Sequence, residues 1–356
     1  MIKKILEGQG NAVIHNTSGA NLLNGIVSAF IVQSDWFGNV SADWGVFEID
    51  ENSLPIILQY VTPKTVVLLN LFRDQLDRYG EVDVIVEKWQ KALVKLPKDT
   101  TVVLNSDDPG VAWLGKSVKG KVTYFGMNDK SAFLKSAEHA TDSTFCPNCG
   151  SRLSYEGIYY SHIGIWRCET CKNVRPKPDI FSWKSALPGL YNRYNTLAAV
   201  ATAKSLNIAD SAIGESLKLF TPAFGRQEKF VVGGKGIKIF LSKNPAGFNA
   251  SLRTVLEMGA RNFLFVLNDR IPDGRDVSWI WDVDFETLPK SSTIIVSGDR
   301  VYDMALRLKY AGQREQIEED LKKAIVASLE KTPKNGVLYI LPTYSALLEV
   351  RKILTG

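Results

Sequence analysis

The sequence predicts an α/β protein made of two wound domains, the first interrupted by a cysteine-bearing insertion. Three observations predict it. Short β-branched apolar runs alternate with amphipathic stretches through Ser205. The alternation breaks at Thr221–Gly225, which holds a proline and a glycine, and then resumes. All four cysteines lie between Ser131 and Lys177, a stretch with several tyrosines and few long apolar runs.

Ala12–Ile14 and Trp44–Ile49 read as short strands, and Thr65–Leu69 (TVVLL) as a buried one. Val84–Leu96 follows with helical spacing, and Thr101–Leu104 returns to strand. Strands alternating with helices predict a parallel sheet wound on both faces. Tyr194–Ser205 is an alanine-rich helix. Beyond the break, Ile237–Leu241, Asn262–Leu267, Thr293–Ser297 and Gly336–Leu341 read as strands, with helices at Ala250–Met258 and Tyr302–Tyr310. This is a second, smaller α/β domain. No internal repeat or low-complexity tract occurs.

The 356 residues fit two domains of ordinary size. The net charge of +5 comes from 43 basic and 38 acidic residues, too small an excess to argue for nucleic acid. No apolar run reaches the roughly 18 residues a membrane helix needs. MIKKILEGQGN has no apolar core or cleavage site, so no signal peptide is expected. Cysteines kept for metal fit a reducing cytoplasm.

Cys146 and Cys149 form one C-x-x-C, Cys168 and Cys171 another, with residues 150–167 between them. Two such knuckles can place four thiolates tetrahedrally around one zinc. Four thiolates leave no open coordination position, so this zinc is structural. The bland alternative is a redox dithiol or free thiols. Removal of the zinc is expected to unfold the insertion and leave most of the sheet intact. His162, between the knuckles, reads as a surface residue.

Three acidic segments follow strands. Glu48 and Asp50 end WGVFEID, NLFRDQLDRYGE (Asn70–Glu81) follows Thr65–Leu69, and NSDDP (Asn105–Pro109) follows Thr101–Leu104. Ligands of open α/β sheets bind outside the carboxyl ends of strands, where a carboxylate can hold magnesium and a nucleotide's phosphates. Any one segment could merely cap a helix. Three at one edge favour a ligand site.

These segments resemble the central ATPase domain of the Mur ligases. HNTSGAN (His15–Asn21), the four-cysteine insertion, YNRYN (Tyr191–Asn195), GRQE (Gly225–Glu228), KNPAGFN (Lys243–Asn249) and DGRDVSWIWDVDFE (Asp273–Glu286) narrow the resemblance to the MurT branch. The position of Gln75 is usually histidine in the wider family, and glutamine there also favours MurT. The resemblance implies a Mur ligase central domain over residues 1–222, a zinc-ribbon insertion at about 131–177, and a MurT-type α/β domain over 223–356.

MurT-like proteins are the synthetase subunits of lipid II isoglutaminyl synthase. The resemblance therefore implies ATP-dependent amidation of the D-glutamate α-carboxylate of lipid II, through an acyl phosphate. Ammonia would come from a GatD-type glutaminase in a heterodimer, working in the cytoplasm at the inner membrane face. By the same carry-over Glu48 would bind Mg2+, with Asn70 and Asp74 beside it. Asn195 would contact adenine and Arg226 the nucleotide. Lys243 and Asn244 are substrate-side candidates. Asp276 is the catalytic candidate, completing the partner's Cys–His pair; without the resemblance it is an ordinary loop acid. Trp279 and Trp281 beside it suit an interface, although the SWIWD alternation leaves room for one to face inward.

Such ligases also need a G-x-x-G-K-[ST] loop to cradle ATP phosphates. EGQGN has no GK[ST] after it, and Gly233–Lys235 is followed by Gly236 in the wrong domain. MIKKILEGQGN resembles the end of the helix that follows such a loop. The loop is expected to lie upstream or to have been lost, and the chain as written to bind ATP weakly. Two other readings stay open: a folylpolyglutamate- or cyanophycin-synthetase-like ligase, which the insertion and DGRDVSWIWD oppose, and a non-catalytic zinc-ribbon scaffold. ATP binding separates them.

Overall fold

The computed structural model describes residues 1–16, 20–72, 82–135, 142–185, 187–221 and 226–355, with Arg226 by its backbone alone. The described residues divide into two units, one running to Thr221 and one beyond it.

The first unit begins with α1 (Ile2–Glu7), β1 (Val13–His15), α2 (Leu23–Val32), β2 (Trp44–Val46), α3 (Leu54–Ile57) and β3 (Thr65–Leu68). It continues with α4 (Val82–Leu93), β4 (Thr101–Asn105), α5 (Pro109–Leu114), β5 (Val122–Phe125), the pair β6 (Ser154–Tyr160) and β7 (Ile163–Arg167), α6 (Leu190–Ser205) and α7 (Asp210–Lys218). The strands predicted to form one parallel sheet form two among the described residues. β3, β4 and β5 form the first sheet, and β1 pairs with β2 in a second, all parallel. Trp44–Ile49 is strand only to Val46, so Glu48 lies in the loop beyond it.

Strand β4 explains why its run is so apolar. Val102 and Leu104 face α4 and α5, meeting Val86, Trp89, Leu93, Val111 and Leu114. Val103, on the opposite face, meets Tyr159, Tyr160, Tyr194 and Leu197. A strand covered on both sides has no polar face to show. Helix α4 is built for one side only: Val82, Ile85, Val86, Trp89 and Leu93 recur at helical spacing and are all buried.

Tyr159 and Tyr160 belong to the β6–β7 hairpin, between the cysteine pairs. The insertion is thus no separately stapled body. Its hairpin supplies core side chains to the sheet, which a count of apolar runs could not show because tyrosines carry the burial.

The second unit holds β8 (Arg226–Val232), β9 (Lys235–Phe240), α8 (Pro245–Glu257), β10 (Asn262–Val266), β11 (Thr293–Ser297), α9 (Val301–Tyr310), β12 (Glu315–Ile317), α10 (Leu321–Lys331), β13 (Val337–Pro342) and α11 (Tyr344–Thr355). The strand order is β12-β11-β10-β13-β9-β8, parallel except for β8, which turns back on β9 through Gly233 and Gly234. Both glycines have positive φ, as a tight hairpin turn requires. Phe263, Phe265, Ile294, Val296, Tyr339 and Leu341 pack on one face with α8 and α9 residues. Leu264, Val266, Ile295, Leu338 and Ile340 pack on the other with α10 and α11. The segments that follow the neighbouring strands β10 and β13 leave on opposite faces of the sheet, so the loop after β10 opens at a topological switch point, where such folds bind ligands.

Candidate functional site

The knuckles converge. Cys146 and Cys168 are buried, Cys171 half-buried and Cys149 exposed, and the four sulfurs lie within 4.8 Å of one another. Sγ of Cys146 is 3.6 Å from that of Cys171, and Sγ of Cys149 is 3.5 Å from that of Cys168. Four sulfurs about 2.3 Å from one ion form a tetrahedron with edges of about 3.8 Å. The cluster therefore fits a thiophilic metal. Each knuckle is a tight turn: the Gly150 N–H donates to the Cys146 carbonyl at 2.8 Å, and the Lys172 N–H to that of Cys168 at 3.1 Å. Backbone N–H groups favour thiolates here. That of Asn173, helped by the Asn148 side chain, holds the Cys171 thiol down to about 6. The Ser151 N–H and hydroxyl lower that of Cys149. Burial acts the opposite way on Cys146, pushing it up to about 11.

The cluster sits on the first sheet through NSDDP. Asp107 and Asp108, read as ligand-edge acids, are fully buried. Asp107 accepts from Arg175 Nε at 2.6 Å, the Tyr194 hydroxyl at 2.6 Å and the Met127 N–H at 2.8 Å. Its carbonyl accepts the Gly164 N–H at 3.0 Å, and the Ser106 carbonyl accepts the Trp166 indole N–H at 3.0 Å. Burial pushes the Asp107 carboxyl upward, against the pull of the Arg175 guanidinium. These acids fasten the insertion rather than face a ligand.

Asp108 caps α5 through the Val111 N–H at 3.0 Å and takes the Leu71 N–H at 2.9 Å. His162 Nε2 is 3.3 Å from the same carboxylate, and the ring meets Phe72 edge-on at 5.3 Å. His162 is fully buried, contrary to its reading as a surface residue. It stands in the turn of the β6–β7 hairpin, which folds onto the end of β4. Arg175 and His162 are the residues that sequence reasoning missed; neither lies in a periodic stretch.

Removing Arg175 tests the fastening. Arg175→Met would leave Asp107 buried without its cation, a loss of about 3–5 kcal/mol. Denaturant unfolding at several pH values should show this. The loss should be smallest in acid, where a proton neutralises the carboxylate, and grow as pH rises through the carboxyl range. A variant as stable as the parent at neutral pH would remove the fastening role.

Glu48 is exposed beyond β2, and its backbone is clasped by Asn16. The Glu48 N–H donates to Asn16 Oδ1 at 2.9 Å, and Asn16 Nδ2 donates to the Glu48 carbonyl at 2.7 Å. Asn70 is half-buried just after β3. Asn195 is half-buried on α6, between buried Tyr194 and Thr196. Asp74, Gln75 and the Arg226 side chain lie outside the described residues.

In the second unit, Lys243 is exposed after β9. Asn244, read as a substrate-side candidate, serves as the N-cap of α8, its Oδ1 accepting the Gly247 N–H at 2.7 Å. Asp276 lies in the loop after β10. That loop is pinned at its start by buried Asp273, which accepts from the Ser345 N–H at 2.8 Å and from the Ser345 hydroxyl. Asp276 is exposed and accepts the Ser278 N–H at 2.8 Å. That bond and the Ser278 hydroxyl hold its carboxyl below the usual carboxylate range. It borders a depression of about 240 Å³ lined also by Arg275, Ser278, Trp281, Arg300 and Asp303. Trp279 packs inward against Phe248, whereas Trp281 keeps 46% of its surface exposed. An ionised carboxylate beside an exposed indole can take the N–H of a cationic or imidazole side chain from outside.

The sequence matches the Mur ligase middle domain over residues 1–203 and the MurT ligase C-terminal domain over residues 241–347. Among its relatives is the lipid II isoglutaminyl synthase (glutamine-hydrolyzing) subunit MurT of Staphylococcus aureus strain COL. It is 36% identical, across 98% of this chain and 82% of the relative. The protein of the same name from Streptococcus pneumoniae strain R6 is 33% identical, across 99% of this chain and 83% of the relative. A pseudomurein peptide ligase type C from Methanothermus fervidus shares the fold, with a TM-score of 0.76 at 22% identity, over 99% of this chain and 75% of that one. This chain belongs to the Mur ligase family and, within it, to the MurT branch.

Proposed function

We propose that this chain is the ATP-using subunit that amidates the α-carboxylate of D-glutamate in the lipid II stem peptide, working with a GatD-type glutaminase. The observation that carries this is the 36% identity over 98% of the chain to a subunit of lipid II isoglutaminyl synthase. A carboxylate resists attack by ammonia until one oxygen becomes a good leaving group. Transfer of the γ-phosphoryl group of ATP supplies it, releasing ADP. Ammonia then adds to the carbonyl carbon, and inorganic phosphate departs with the oxygen. The protein's task is to position the reactants and to offset charge around the phosphates.

In this reading Glu48 holds Mg2+, with Asn70 and Asp74 on the same side, Asn195 contacts adenine and Arg226 the nucleotide. Asn16 supports the role of Glu48 by fixing its backbone. Lys243 stands on the substrate side, and Asn244 fixes the start of α8 beside it. Cys146, Cys149, Cys168 and Cys171 hold a structural zinc. Asp276 orients the partner's histidine. The site of action is the inner face of the cytoplasmic membrane, where lipid II is presented. The test combines the chain with the glutaminase subunit, lipid II, glutamine, ATP and Mg2+, with mass spectrometry of the lipid. Amidated lipid II that requires both subunits and ATP is the expected product. No amidation with all components present and ATP shown to bind, or addition of an amino acid instead, overturns the reading.

A further inference from the structure

The segment Val277–Leu288 joins β10 to β11 with two short 3-10 turns, Ser278–Asp282 and Phe285–Thr287, and no strand pairing. Buried irregular backbone must find partners for its carbonyls. Three buried polar side chains supply them. Arg307 of α9 donates to the carbonyls of Ile280, at 3.2 Å, and Val283. Asn249 of α8 donates to that of Asp282 at 3.3 Å and accepts the Asp284 N–H at 2.8 Å. Gln313 donates to those of Phe285 and Leu288 at 3.3 and 3.0 Å.

Arg307 is the centre of this set. Its side chain is 4% exposed, and it forks onto both oxygens of Glu286 at 2.8 and 2.9 Å. Its guanidinium lies 5.8 Å from the Trp281 ring centre and 5.4 Å from that of Phe285. Burying an arginine is costly, and apolar packing alone would not require one. Here a single planar cation fixes two carbonyls, one carboxylate and two rings of the same segment. A lysine cannot reproduce that fork. The held segment starts at Ser278, whose N–H and hydroxyl hold Asp276. Arg300 and Asp303, at the start of the same helix, wall the depression beside Asp276.

We propose that Arg307 is a positioning residue for Asp276: through the Ile280 and Val283 carbonyls it fixes the turn that aims the Asp276 carboxylate out of the domain. This rests on the reading that Asp276 orients a histidine of the glutaminase subunit.

The test is a double-mutant cycle in the purified heterodimer, reading glutamine hydrolysis, KM for glutamine and the dissociation constant of the two subunits. Arg307→Lys on the parent background should lower kcat about tenfold with KM and subunit affinity nearly unchanged, and should cost nothing further on Asp276→Asn. Equal losses on both backgrounds, or a loss explained by weaker assembly, would show that Arg307 serves the fold alone and overturn the proposal. Full activity of Arg307→Lys beside an impaired Asp276→Asn also overturns it, while leaving the role of Asp276 standing. Unchanged hydrolysis by Asp276→Asn removes the underlying reading and this proposal with it. If Arg307→Lys melts out of the complex, Glu286→Gln decides by the same cycle. It loosens the fork from its half-exposed side, and a loss that disappears on Asp276→Asn is the expected result.

Discussion

Asp276→Asn in the assembled heterodimer is expected to lower glutamine hydrolysis by about four orders of magnitude, the scale seen when an asparagine replaces a triad aspartate. The loss comes from the imidazole tautomer that an asparagine amide favours, not from misfolding. Asp276 is exposed, and the Ser278 N–H can still donate to an asparagine oxygen. Subunit affinity and thermal stability should therefore stay near those of the parent. The carboxyl is held below the usual carboxylate range, so the parent carries its charge throughout the neutral region. A loss of activity in the parent on mild acidification would then come from other groups. Hydrolysis unchanged by the substitution, in a complex shown to be intact, would leave Asp276 as a turn cap and nothing more.

Metal removal is the second large effect. The sequence suggests that chelation unfolds the insertion alone. The structure argues for a wider collapse. The hairpin between the knuckles buries Tyr159, Tyr160 and Ile163 against the β4 face of the first sheet, and Trp166 packs with Cys146, Cys168 and Ala112 of α5. Binding of a structural zinc contributes about 10–16 kcal/mol in small peptides, against about 5–15 kcal/mol for the stability of a whole domain. Chelation, or Cys168→Ser, should therefore remove hydrogen-exchange protection from β4 and β5 as well as from the hairpin. The β9–β10–β13 strands should keep theirs. Elemental analysis of the parent should give about one zinc per chain. A chelated chain with β4 still protected would return the insertion to a local role.

The elements legible in the sequence were those whose surroundings are apolar on every side. β4, β10, β11 and β13 are buried on both faces, so their apolar runs are unbroken, while β3 is buried on one face and half-covered on the other. The cysteine centre was legible because two C-x-x-C knuckles have the spacing that brings four sulfurs to one point. What escaped was direction. An aspartate at a strand's carboxyl end looks the same whether it faces a metal or a buried arginine. Asp107 has its partner at Arg175, 68 residues onward, and His162 is 54 residues from Asp108. No local pattern encodes those pairs. Arg307 sits in VYDMALRLKY, where it reads as one more charged helix residue. The edge strands β8 (RQEKFVV) and β12 (EQI) mix charged and polar residues with apolar ones, as strands at a partly exposed edge do.

Helix α6 carries a consequence for synthesis. Tyr194, Leu197, Ala198 and Ala201 meet the hairpin and the first sheet, while Ala199, Val200 and Ala203 meet Ile5 of α1 and Ile213 and Leu217 of α7. One helix thus joins the beginning of the unit to its end, and Thr196 reaches Met1 across that whole span. On the ribosome the early strands must wait for this helix before their apolar faces are covered, and at about 5–20 residues per second that wait lasts on the order of ten seconds or more. Through that interval Cys146, Cys149, Cys168 and Cys171 emerge ahead of the helix that closes the core over their hairpin. A metal taken up by the nascent chain would bring β6 and β7 together before α6 arrives to seal them.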